Sequence, residues 1–211
     1  MAKSARQYEM NMTEGPLLGK ILRFSLPLAV TGILQLLYNA ADVVVVGQFV
    51  GSQALAAVSS TGSLVNLIVS VFSGLSLGTS VAVAQGYGAG KKEDASRAVH
   101  TSIAVALIGG LAVALLGLFL SRPMLVLMDS PDDVLDLSAL YLKIYFLGAP
   151  FNMLYNFGSA VLRAIGDTKR PLYFLTVSGL INVALNLFLV IVCGMGVAGV
   201  AIATVASQVV S

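Results

Sequence analysis

The sequence predicts an all-α membrane protein, a bundle of six transmembrane helices. Three observations lead there. Only 10% of the residues are charged, 57% are hydrophobic, and the mean hydropathy is +0.92, whereas a soluble domain carries about 25% charged residues. The charges gather at a few places and leave long apolar stretches between them; about 20 such residues suffice to cross a bilayer as a helix. Glycine is abundant, at 21 residues, as suits helices that approach closely in lipid.

Residues 1–20 form a polar segment, and 21–211 hold the six spans. The first span covers 21–50. No small-residue cleavage pattern follows it, so it is retained rather than removed as a signal peptide. Pro27 lies early in this span and should bend it or free backbone carbonyls. The second span, 54–84, is expected to break at Gly86-Tyr87-Gly88-Ala89-Gly90. The third covers 99–120 and ends before the turn Ser130-Pro131-Asp132-Asp133, whose acids sit at the start of the next helix. The fourth covers 137–162 and the fifth 172–193, with Gly166-Asp167-Thr168 and Pro171 between them. Gly194-Met195-Gly196 makes a short link to the sixth, 197–211, so the last two helices form an antiparallel hairpin. At roughly 22 Å of rise the sixth is short for a full crossing, and it is expected to continue beyond Ser211.

Lys and Arg set the orientation. Lys3, Arg6, Lys20 and Arg23, then Lys91, Lys92 and Arg97, then Arg163, Lys169 and Arg170 are separated by two spans each and share one side. The other side carries Arg122 among Asp129, Asp132, Asp133 and Asp136. The basic side is expected to be cytoplasmic, giving a multi-pass protein of the plasma or inner membrane with its N-terminus inside. A net charge of +2 gives no reason to expect a nucleic-acid partner. Cys193 is expected to be a small packing residue. The acids of the loops, Asp167 included, are expected to be helix caps and solvated turns. His100 follows the basic loop without Cys, Asp or Glu spaced to make a metal site.

Asp42 stands apart. It is followed by Val43, Val44, Val45 and Val46 inside the first apolar run, and an acid there costs several kcal/mol unless paired, solvated or protonated. Gln35, Tyr38, Asn39 and Asp42 follow i, i+3, i+4, i+7 spacing, one polar stripe on an apolar helix. Asp42, Asn186 and Thr204 each lie roughly 8–12 Å below the outer end of their helices, with Asn182 one turn deeper. A carboxylate among amide and hydroxyl oxygens suits a proton or a hard cation such as Na⁺. No other metal and no cofactor is expected. A membrane aspartyl protease would need two facing carboxylates, and only Asp42 is placed for that.

These residues resemble the multidrug and toxic compound extrusion (MATE) family. The matching stretches are Met12-Thr13-Glu14-Gly15-Pro16, Leu36-Leu37-Tyr38-Asn39-Ala40-Ala41-Asp42, Gln85-Gly86-Tyr87-Gly88-Ala89-Gly90, Leu162-Arg163-Ala164-Ile165-Gly166-Asp167-Thr168-Lys169-Arg170-Pro171 and Ile202-Ala203-Thr204-Val205, in order along nearly the whole chain. The resemblance implies one lobe, the N-terminal one, of a two-lobed twelve-helix transporter, with a C-terminal six-helix lobe as partner. It implies export of amphipathic organic cations in exchange for H⁺ or Na⁺, with Asp42 as coupling residue, Tyr38, Asn182, Asn186 and Thr204 around it, and Pro27 where some members bend the first helix. Many members have an acid where this chain has Asn186, which leaves Asp42 the single carboxylate and favours protons. Two alternatives stand beside this antiporter: a flippase for lipid-linked sugars, disfavoured because no Lys or Arg is read deep in a span, and a half-length chain that does not transport alone.

Overall fold

The computed structural model describes residues 17–211. Lys3, Arg6 and the Met12–Pro16 stretch lie outside the described residues. Seven α-helices follow in order: α1 Leu17–Phe49, α2 Ser52–Gly88, α3 Lys92–Leu127, α4 Asp132–Leu147, α5 Ala149–Ala164, α6 Lys169–Leu187 and α7 Gly196–Val210, with a π-helical turn, Phe188–Val192, continuing α6. No strand occurs among the described residues. The chain is a helical bundle with an apolar exterior: Leu22, Leu26, Leu36, Ile108, Phe119 and Leu180 are all exposed. Small and polar side chains are turned inward instead, among them Thr61, Ser76, Ser102, Ser121, Ser138 and Asn182. That inversion of the soluble pattern fits lipid as the surrounding medium.

Four helices are long and apolar enough to cross a membrane, and α4 with α5, bent by 50°, has the length and composition of a fifth when the pair is counted as one span. The apolar α7 has 15 residues. The expected unbroken fourth span, 137–162, is therefore corrected to two helices meeting at Gly148. Pro150 has no N–H to return to the Phe146 carbonyl, and its ring cannot follow that turn. The Asn152 N–H reaches Gly148 O at 3.0 Å and starts a new helix.

The bent crossing is seated on α3. Every third or fourth residue of α3 on that face is small: Ser102, Ala106, Gly110, Ala114, Gly117 and Ser121 are buried. A Cβ on Gly110 would lie 2.5 Å from Cα of Pro150, and one on Gly117 would lie 2.1 Å from Cγ of Phe146. Leu64, Leu125, Leu142 and Phe146 pack into one apolar core there.

The glycine-rich stretch after the second span behaves differently from expectation. The helix runs through Gly86 to Gly88, and the turn falls at Gly90, where φ is +71°. Gly86 is buried because Ala95 crosses it; a Cβ there would lie 2.9 Å from the Ala95 nitrogen. Asp167 is also corrected: it is fully buried rather than solvated. Its Oδ1 accepts the Lys169 and Arg170 amides, both at 3.1 Å, and its Oδ2 pairs with Arg170 Nε at 3.2 Å, so it caps α6 from inside. Cys193, expected to pack, is exposed.

Candidate functional site

α1, α6 and α7 bring their polar residues to one place. The amide nitrogen of Asn186 donates to Asp42 Oδ1 and, at 3.3 Å, to Asn182 Oδ1. The Asn182 amide nitrogen lies 3.5 Å from Thr204 Oγ1, which in turn donates to Val200 O at 3.0 Å. One connected chain thus runs from the acid on α1 through two amides on α6 to a hydroxyl on α7. The amides are one turn apart, so a single face of α6 supplies both. Asn182 and Asn186 are buried and Asp42 is half-buried. The Oδ1 of Asn186 is buried and has no hydrogen-bond partner.

α1 is held against α6 by Tyr38. A Cβ on Gly179 would lie 2.0 Å from the Tyr38 ring, so the ring rests on bare backbone. Its hydroxyl donates to Thr176 O at 3.3 Å. The next turn of α1 continues the contact with Val45 and Val46, which are buried with Val190, Val197 and Val200. The polar stripe is therefore divided. Tyr38 and Asp42 face α6, whereas Gln35 and Asn39 are exposed on this chain. Pro27 is half-buried within α1, and its carbonyl accepts Thr31 Oγ1 at 2.8 Å.

Three features escaped the sequence. Tyr141 on α4 is buried in the same core as Val45 and Val46, which follow Asp42 on α1. The i, i+4 pair Tyr141 and Tyr145 was its visible trace. The π-helical turn begins two residues after Asn186, at Phe188, with the Cys193 amide bonded back to Phe188 O; such bulges recur at functional sites. Lys143 lies inside α4, eleven residues past Asp132, against the expectation that no basic residue sits within a span. It is exposed. Among the described residues no group of three His, Cys, Asp or Glu could hold a metal.

A helical bundle with a discontinuous span and an acid held by amides in its interior has the build of a secondary-transporter lobe. The chain belongs to the MATE family: the MatE family model matches residues 27–189. It is 33% identical over 94% of its length to a probable multidrug resistance protein, YpnP of Bacillus subtilis, and 30% identical over 90% of its length to an FAD transporter of Shewanella oneidensis. It superposes on a MATE crystal structure in the bent conformation with a TM-score of 0.85, at 30% identity over 90% of this chain. It spans 44%, 43% and 42% of those three proteins, the length of one lobe of two. MATE proteins are multi-pass membrane transporters and not enzymes.

Proposed function

We propose that this chain is the N-terminal lobe of a secondary antiporter that exports amphipathic organic cations in exchange for H⁺, with Asp42 as the coupling residue and Na⁺ as the alternative coupling ion. The carrying observation is the chain Asp42–Asn186–Asn182–Thr204, assembled from three helices in the interior of an apolar bundle. An ionised Asp42 is an acceptor only, and the Asn186 N–H meets it. A protonated Asp42 becomes a donor, and the unpartnered Oδ1 of the same amide is the acceptor it requires. Rotating one side chain by half a turn therefore reverses the hydrogen bond. It breaks the Asn186–Asn182 bond as well, so protonation reorganises the contact of α1 with α6. A cation would meet the same oxygen, which is why Na⁺ stays in view.

Alternating access would come from rocking this lobe against its C-terminal partner about a shared cavity. The basic end of the bundle is assigned to the cytoplasm by the distribution of Lys and Arg. Cationic cargo ranks ahead of anionic cargo, whether a lipid-linked sugar pyrophosphate or the FAD of the Shewanella relative. Lys143 is exposed and Arg163 and Arg170 stand at the basic end, whereas the half-buried Asp42 is bonded to the buried Asn186 within the bundle.

The test is Asp42→Asn in the protein as encoded, reconstituted in proteoliposomes with a fluorescent organic cation. ΔpH-driven efflux is expected to fall at least about a hundredfold. Efflux that keeps its wild-type dependence on the gradient would overturn the proposal.

A further inference from the structure

At the basic end of the bundle the helices leave a gap. α5 packs closely on α2 and α3 but only lightly on α6 and α7. Between them, near the start of α3 and α6 and the end of α5 and α7, lies a cavity of about 360 Å³. Small-molecule sites measure roughly 300–1,000 Å³. Val99 and Ile103 of α3, Leu154 and Leu162 of α5, Phe174 of α6 and Val209 of α7 give it an apolar wall. Ile103, Leu154, Phe174 and Val209 are exposed, so the cavity opens to the bundle's surroundings, whereas Phe157 and Ser159 at its floor are buried.

The wall suits an apolar occupant. The Ser102 hydroxyl donates to Ala98 O at 2.6 Å, and the Tyr155 hydroxyl donates to Pro171 O at 3.3 Å. Hydroxyls already bonded to the protein offer water few partners. Gly158 leaves the α5 wall open, since a Cβ there meets nothing within 4 Å. The mouth, by contrast, is cationic. Tyr155, Ser159 and Arg163 follow at four-residue spacing on α5, so Arg163 stands one turn past the wall on the same face. It is half-buried. The ion pairs among the described residues are Glu93–Arg97, Asp136–Arg122 and Asp167–Arg170, and neither Arg163 nor the exposed Lys169 belongs to one. Asp167, the acid nearest in sequence, is turned to Arg170 and to the first amides of α6.

We propose that this cavity is a lipid site: it takes one acyl chain of an anionic phospholipid from the leaflet at the basic end, with the headgroup phosphate held by Arg163 and Lys169. A guanidinium matches a phosphate with two parallel N–H bonds. Basic pockets between helices at the membrane surface select anionic headgroups on these grounds. A zwitterionic lipid fills the same space but brings its own cation beside the phosphate, and so gains less. An organic cation meets repulsion at the same mouth, which separates this site from any cargo site. A chain seated there fills the gap between α3 and α5 on one side and α6 and α7 on the other, and joins them where their own contacts are sparse.

The site is independent of Asp42, and its experiment reads lipid rather than transport. The protein as encoded is placed in nanodiscs containing phosphatidylglycerol or phosphatidylcholine with a photoreactive group in one acyl chain, and the adducts are mapped by mass spectrometry. Phosphatidylglycerol is expected to label α5 between Leu154 and Leu162 at least about fivefold more than phosphatidylcholine does. Arg163→Gln is expected to remove most of that preference, and Arg163→Lys to keep part of it. Gly158→Leu puts a side chain into the open space of the cavity. It is expected to suppress labelling of α5 by both lipids while the exposed Ile108 on α3 is labelled as before. Asp42→Asn is expected to label like the parent. Equal labelling by the two lipids in the parent would overturn the proposal, as would undiminished labelling of α5 in Gly158→Leu. Labelling at Ile108 with none on α5 would mean that another part of the protein covers the cavity, and would overturn it too.

Discussion

The two sides of this bundle combine close packing and polar contacts in different proportions. On the side of α2, α3, α4 and α5, neighbours settle where side chains are missing: the Pro150 backbone sits on Gly110, and the Phe146 ring sits on Gly117, with the Ser60–Ser138 and Ser102–Thr79 hydroxyl pairs beside them. On the side of α1, α6 and α7, the cross-links are hydrogen bonds between an acid, two amides and a hydroxyl. Lipid supplies no hydrophobic force between helices, so close packing and polar contacts are what remains. The contrast teaches a division of labour. Interlocked backbone cannot be altered without moving a helix, whereas a hydrogen-bonded cluster can exchange donors for acceptors and stay closed. A lobe that must turn as one body while a single site changes protonation has use for both.

The contrast breaks most readily at Gly117. Gly117→Ala places a methyl group where the buried Phe146 ring already is, and it is expected to destabilise the fold by about 3 kcal/mol, seen as a clear drop in melting temperature in detergent. Gly62→Ala, whose Cβ meets nothing within 4 Å, is the control and is expected to melt no lower than the parent. Equal melting of the two variants would remove the close-packed side from the account.

Gly179→Ala comes next. The methyl displaces the Tyr38 ring, but Tyr38 is only half-buried and can swing aside. A loss of about 1 kcal/mol is expected, together with slower transport because α1 stands off from α6. The smallest effect belongs to Tyr38→Phe, which keeps the ring and loses one hydrogen bond to Thr176 O, about 0.6 kcal/mol in a membrane interior. If Tyr38→Phe costs more than Gly179→Ala, the hydroxyl rather than the ring holds α1.

Much of this arrangement was legible in the sequence, because spans in lipid are written in composition. The cluster was legible too: Asp42, Asn186 and Thr204 fall at one depth, with Asn182 one turn deeper, when residues are counted from the ends of their helices. What counting could not give was rotation about those axes. Spacing alone put Gln35 and Asn39 on the same stripe as Asp42, yet both are exposed on this chain while Tyr38 and Asp42 face α6. Gly148 and Pro150 were in plain view, but an apolar run reads as continuous across them, and the seat that Gly110 on α3 gives Pro150 is a tertiary contact that spacing does not show. Gly86 shows the reverse case. Its glycine-rich surroundings suggested a turn, whereas the residue is helical and is glycine because Ala95 crosses it. Asp167 looked like a solvated loop acid, since sequence does not show which turn is folded under the bundle.

The central claim is that protonation of Asp42 and movement of cargo are one event. The most direct measurement is the number of protons moved per organic cation exported, from paired flux recordings in proteoliposomes made with the protein as encoded. The account predicts a fixed ratio for the parent protein, and in Asp42→Asn no proton movement linked to cargo. A ratio unchanged by Asp42→Asn would contradict it.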